Sequence, residues 1–106
     1  MINKKVLGLI GFAAKARKVS YGADSVKLQI SKGNVRLLIL SNEASDRTKK
    51  DFIQLSEQYN IPKIIVGDSE ELSQAIGKSN KVVIGIHDKE LSKEIKKIND
   101  GGEIIG

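Results

Sequence analysis

Along the chain, apolar residues alternate between a spacing near 3.6 and short continuous runs, the pattern of amphipathic helices interleaved with buried strands. Val6, Leu9, Ile10 and Ala13 fall on one face and predict a first helix from a cap at Asn3 to about Ala16. Lys15, Arg17 and Lys18 at its end are cations that suit a helix C-terminus. A short extended piece, Val19 to Tyr21, leads to Gly22, which opens a second helix reaching about Ser31. Ala23, Val26 and Ile30 face its core side, Asp24, Lys27, Leu28 and Ser31 share another side, and Gly33-Asn34 breaks it.

The run Leu37-Leu38-Ile39-Leu40 is wholly apolar and predicts a strand covered on both faces. Ser45 and Asp46 start a third helix with Phe52, Leu55 and Tyr59 spaced to point inward, and Asn60-Ile61-Pro62 delivers a strand from Lys63 to Val66. Asp68 with Glu71 three residues on makes a capping box for a short helix through Leu72, Ala75 and Ile76, closed by Gly77. Val82 to Ile86 is another buried strand. A last helix from about Asp88 uses Leu91, Ile95 and Ile98 and stops at Asp100-Gly101-Gly102. This alternation predicts an α/β layer sandwich with helices on both sheet faces. At 106 residues and 40% hydrophobic, one domain over residues 1–106 is expected, with a modest core.

Composition removes several chemistries. The chain has no cysteine and one histidine, so a disulfide scaffold, a cysteine zinc site, an iron–sulfur cluster and a thiol nucleophile are excluded; no cofactor and no metal are expected. No apolar run approaches the roughly 18 residues that span a bilayer, and the N-terminus lacks a signal-peptide pattern. The expectation is a cytoplasmic protein with no membrane partner. Four aromatic residues are too few for a base-stacking sheet.

Charge changes the picture more than composition does. The net charge is +5, yet residues 1–36 hold eight bases against one acid, and the other seventy hold ten bases against twelve acids. So basic an N-terminal third suits a polyanion, although a solvated face explains the same count. Within it, Arg17 and Lys18 stand shortly before a helix that begins at a glycine. Free amides and the dipole at such an end suit a phosphate, and Gly22 would let a nucleic-acid backbone come close; an ordinary glycine turn is the alternative. In Ser41-Asn42-Glu43-Ala44-Ser45, Asn42 and Glu43 are candidate ligand contacts, against a turn in which Ser45 only caps a helix. His87-Asp88, at a strand end, is the best enzyme candidate, with His87 as general base and Asp88 orienting it; a loop histidine beside a helix cap accounts for both equally. Leu7-Gly8-Leu9-Ile10-Gly11 lies inside a helical pattern with no preceding strand, so its glycines are read as allowing close helix packing.

Taken together, Gly22-Ala23-Asp24-Ser25-Val26, the stretch from Gly33 through Leu37-Leu38-Ile39-Leu40 to Ser45, Tyr59-Asn60-Ile61-Pro62, and Glu71 through Ala75 to Lys78 resemble the kink-turn-binding ribosomal protein family of L-seven-Ae and L-thirty-e type over nearly the whole chain. Ala13-Ala14-Lys15-Ala16-Arg17-Lys18-Val19 is similar to its bacterial YlxQ-like branch. The resemblance implies a three-layer α-β-α sandwich around a four-stranded mixed sheet. It also implies a ribonucleoprotein role in translation or beside the ribosome, on structured RNA such as ribosomal RNA or a kink-turn-like element, with ribosome-associated proteins as possible neighbours.

In that family the second helix presents Gly-x-Asn-Glu and then a Lys to sheared G·A pairs. Here Gly22 and Ala23 open the helix, but Asp24 stands for Asn, Ser25 for Glu and Leu28 for Lys, with Lys27 one residue early and about 100° round the helix. The later loop carries Lys78 and Lys81 where the family is apolar. Phosphate contact from Arg17, Lys18, Lys27, Lys78 and Lys81 is therefore expected to outweigh base readout. Two other classes remain open: a protein-interaction adaptor anchored on Leu28, and a small-molecule enzyme around Asn42, Glu43 and His87.

Overall fold

The computed structural model describes residues 2–101. The elements follow the order α1 (Lys4–Lys15), β1 (Val19–Tyr21), α2 (Ala23–Ser31), β2 (Leu37–Leu40), α3 (Asp46–Gln58), β3 (Lys63–Ile65), α4 (Ser69–Ala75), β4 (Val83–Ile86) and α5 (Lys89–Asn99). Side chains start four of the helices: Asn3 accepts from the Lys5 amide, Ser45 from Thr48, Asp68 from Glu71 and Asp88 from Leu91. Each caps an amide that has no carbonyl partner within its helix. At the other ends the chain turns through a left-handed residue: Arg17 (φ 59°), Gly33 (77°), Asn60 (55°), Gly77 (70°) and Gly101 (80°). Gly102, the further residue expected to end α5, lies outside the described residues.

The sheet order is β1-β4-β2-β3, with β4 antiparallel to both neighbours and β2 parallel to β3. Every residue of β2 and of β4 is buried. Because strand side chains alternate, Leu37, Ile39, Ile84 and Ile86 pack with Val6, Ile10, Leu72 and Ile95 from α1, α4 and α5. Leu38, Leu40 and Val83 pack on the other face with Val26, Ile30 and Phe52 from α2 and α3. The result is a three-layer α-β-α sandwich around a four-stranded mixed sheet.

Three expected positions differ. Ala23 is exposed, because it lies in the first turn of α2 above the level of the core. Tyr59 is 43% exposed, since α3 ends at Gln58 and the chain turns away; Ser56 is buried one turn earlier and donates its hydroxyl to the Ile53 carbonyl at 2.7 Å. Of the two glycines in α1, only Gly11 meets a neighbour, where a Cβ would stand 3.2 Å from the Ala75 carbonyl oxygen; Gly8 faces open space.

Gly85 sits in β4 between Ser20 of β1 and Leu38 of β2. A Cβ there would lie 2.9 Å from Ser20 Oγ and 3.0 Å from Val35 Cγ2. Gly85→Ala should therefore destabilise the fold by about 1–3 kcal/mol through overpacking. A lower denaturant midpoint with an unchanged slope is the expected result.

Candidate nucleic-acid interface

The strand directions divide the sheet into two ends. β1, β2 and β3 finish at the end where β4 starts, and this places Gly22, the Ser41–Ala44 turn, Gly67 and the 78–82 loop together. The backbone stitches them: the Gly22 amide donates to Val83 O at 3.0 Å, Ser41 to Val82 O at 2.9 Å, and Asn42 to Gly67 O at 2.8 Å.

Gly22 is the N-cap of α2 with φ 86° and ψ 149°, a region almost reserved for glycine. No side chain caps this helix. The amides of Ala23, Asp24 and Ser25 thus have no acceptor among the described residues, and an added Cβ at Gly22 would meet nothing within 4 Å. This is open, electropositive backbone. Asp24, Ser25 and Leu28 are exposed on the same helix, Leu28 by 52%. Lys27 leans toward α3, its ammonium 5.7 Å from the centre of the Phe52 ring.

Beside Gly22, the Tyr21 ring holds two cations, with Lys78 Nζ at 5.2 Å and Lys81 Nζ at 5.6 Å from its centre. The loop that carries them is fixed at its far end: the Lys81 amide donates to Ser73 Oγ at 2.8 Å, and the hydroxyls of Ser69 and Ser73 donate to the Lys81 carbonyl. Lys78 and Lys81, far from α2 in sequence, are brought to its N-terminus. The sequence carried no signal for Tyr21 as their platform beyond its place next to Gly22.

Of the other expected contacts, Arg17 and Lys18 lie elsewhere, while Asn42 and Glu43 share the Gly22 end. Arg17 and Lys18 precede β1, so the strand sets them about 13 Å from Gly22 at the opposite end of the sheet. Lys18 Nζ pairs with Asp88 Oδ1 at 3.0 Å. Glu43 is at the Gly22 end, but its carboxylate accepts the Ser69 amide at 2.7 Å and so serves the start of α4. The Asn42 carbonyl accepts from Lys49 Nζ at 2.8 Å, and its side chain is exposed.

Nor do His87 and Asp88 act on one another. Asp88 spends both oxygens, Oδ2 on the Leu91 amide and Oδ1 on Lys18, and these bonds, the Leu91 amide foremost, hold its carboxyl below the usual range. His87 Nε2 meets Ser20 Oγ at 3.1 Å, and burial pushes its pKa down. Among the described residues no cluster of His, Asp or Glu could hold a metal, and no helix is long and apolar enough to cross a membrane.

Residues 4–96 match the Ribosomal protein L7Ae/L30e/S12e/Gadd45 family. The RNA-binding protein YlxQ of Enterococcus faecium is 32% identical over 99 residues, 93% of this chain and 95% of its own. That of Bacillus subtilis is 30% identical over 92 residues, 87% of this chain and 92% of its own. A solved structure of a protein with unknown function from Bacillus halodurans superposes with a TM-score of 0.89 at 38% identity, covering 92% of this chain and 99% of that one. A Giardia lamblia 15.5kD RNA binding protein shares the fold, with a TM-score of 0.78 at 20% identity over 95% of this chain and 92% of its own.

Two stability outcomes follow. Gly22→Ala has room for its methyl group but not the backbone conformation, so it should cost about 1–3 kcal/mol in a denaturant titration. His87 is held neutral in the fold, so the unfolded chain takes up its proton first as pH falls below the ordinary value of 6.5. Thermal stability should therefore drop as pH falls through that value, and His87→Gln should flatten the drop. Asp88 does not contribute there, because its pKa is lowered from 3.8 and its stabilisation is lost only on further acidification.

Proposed function

Because the chain belongs to the Ribosomal protein L7Ae/L30e/S12e/Gadd45 family, we propose that it acts as a single RNA-binding module which receives structured RNA at the N-terminus of α2. The observation that carries this reading is the uncapped start of α2 at Gly22, with Lys78 and Lys81 held beside it on Tyr21. Relatives that are named RNA-binding proteins support it. Phosphate oxygens accept from the free amides of Ala23, Asp24 and Ser25 and from the two lysines, which fixes register without reading sequence. The cellular setting that suits the family is the cytoplasm, in translation or beside the ribosome.

The same reading makes kink-turn preference weak. Asp24 offers no amide donor to a base edge and adds a negative charge near phosphates, while Ser25 and Leu28 lack the reach and charge of the Glu and Lys that the family places there. A good bidentate base contact is worth about 1–3 kcal/mol, so two missing contacts remove roughly 30-fold to 10⁴-fold of discrimination.

A titration in increasing salt tests the surface. Lys78→Gln combined with Lys81→Gln should flatten the log–log slope by about 1.4 to 1.8, while Arg17→Gln should change it less. An unchanged slope in the lysine double variant places the RNA elsewhere. Competition between a kink-turn and the same duplex without its G·A pairs tests the specificity. The natural chain should prefer the kink-turn by less than about tenfold, and the triple change Asp24→Asn, Ser25→Glu, Leu28→Lys should raise that preference. Strong preference in the natural chain would show that Gly22 and backbone shape suffice.

A further inference from the structure

At the sheet end opposite Gly22, a pocket of about 350 Å³ opens where α2 and α3 finish and α5 begins. Its volume lies in the range of small-molecule sites. Ile30, Val35, Ile61 and Pro62 form an apolar lining, and Tyr59, the half-exposed aromatic that the core does not take, forms another wall. Arg36, Lys89 and Lys93 complete it, and none of the three has an ion-pair partner among the described residues. Ser92, 5% exposed, also lines the pocket, and its hydroxyl is buried without a hydrogen-bond partner.

These groups are not where local forces alone would put them. The C-termini of α2 and α3 do attract cations, but Lys89 is the first residue of α5, where the helix dipole opposes it. Lys93 lies one turn further on the same face, a like-charged neighbour. An aromatic wall, an apolar lining and three unpaired cations match a ligand with a flat ring at one end and a phosphate at the other. We propose that this pocket binds a nucleotide, with the base against Tyr59 and Pro62 and the phosphate toward Arg36, Lys89 and Lys93. A free nucleotide and one residue of a single-stranded RNA segment offer this same chemistry. The site is separate from the Gly22 surface and stands or falls without it.

The test is an amide NMR titration of the full chain with adenosine 5′-monophosphate, hexaadenylate, inorganic phosphate and a hexaglutamate peptide. The expected result is saturable shifts of Gly33, Asn60 and Ser92 with adenosine monophosphate, hexaadenylate or both, whether or not hexaadenylate also shifts Gly22 and Lys81. Response to the monophosphate assigns a free nucleotide as sufficient, and response to hexaadenylate alone assigns the RNA strand. Tyr59→Leu, which keeps apolar bulk and removes the ring, should weaken binding at least about fivefold. Lys89→Gln with Lys93→Gln should flatten the salt slope for hexaadenylate by about 1.4. Ser92→Ala should weaken binding while leaving the thermal midpoint equal or higher, since it removes an unsatisfied buried hydroxyl. Phosphate binding as well as the nucleotide, hexaglutamate binding as well as either, or shifts confined to the Gly22 end would each overturn the proposal.

Discussion

Antiparallel pairing of Leu37–Leu40 with Val83–Ile86 is the contact on which the rest of the molecule depends. Both strands are buried throughout, so each must be covered on two faces, and one layer of helices cannot do that. Alternation of side chains sends Leu37, Ile39, Ile84 and Ile86 to one layer and Leu38, Leu40 and Val83 to the other. A slip of one residue would exchange the two sets and set large side chains where Gly85 now admits Ser20 and Val35. The register is therefore held by both layers together. It also fixes which loops share an end of the sheet, and through them where ligand-binding groups can gather.

Much of this was legible because it is local. Asn3, Ser45, Asp68 and Asp88 each announce a helix start through a side chain that bonds an amide two or three residues on. The apolar runs announce buried strands in the same way. Ala23 and Tyr59 were misplaced because periodicity continues to the end of a helix, whereas the core does not reach that far. The resemblance supplied the four-stranded mixed sheet, and the order of its strands, which no local pattern in the chain contains, comes from the structure.

Local pattern made the candidate site legible only in its Gly22 half, and Lys78 and Lys81 entered through the resemblance. Lys78 and Lys81 join it through pairing of β1 with β4, a contact between residues more than sixty positions apart. Arg17 and Lys18, five and four residues before Gly22 in the sequence, are carried away by the length of β1. Closeness in sequence does not decide which end of the sheet a pair occupies. The basic N-terminal third is accordingly not one surface: Arg17, Lys18 and Arg36 stand at one end of the sheet, and the start of α2 stands at the other.

The distribution of cations also runs against local stability at particular residues. Arg17 takes the left-handed position at the end of α1, where the Lys18 amide bonds Ala13 O and the Arg17 amide bonds Ala14 O. The corresponding positions after the other four helices are Gly or Asn, which enter that region at lower cost. An arginine there costs on the order of 1–2 kcal/mol, and a lysine at the first residue of α5 opposes the helix dipole by about 0.3–1 kcal/mol. Each sum is a sizeable share of the stability of a domain this small. Solubility does not require either placement, since a lysine on any exposed helix face serves it without strain. Of the two, only Lys89 lines the pocket between Tyr59 and Lys93, and the phosphate of the proposed nucleotide would offset the cost of its position there.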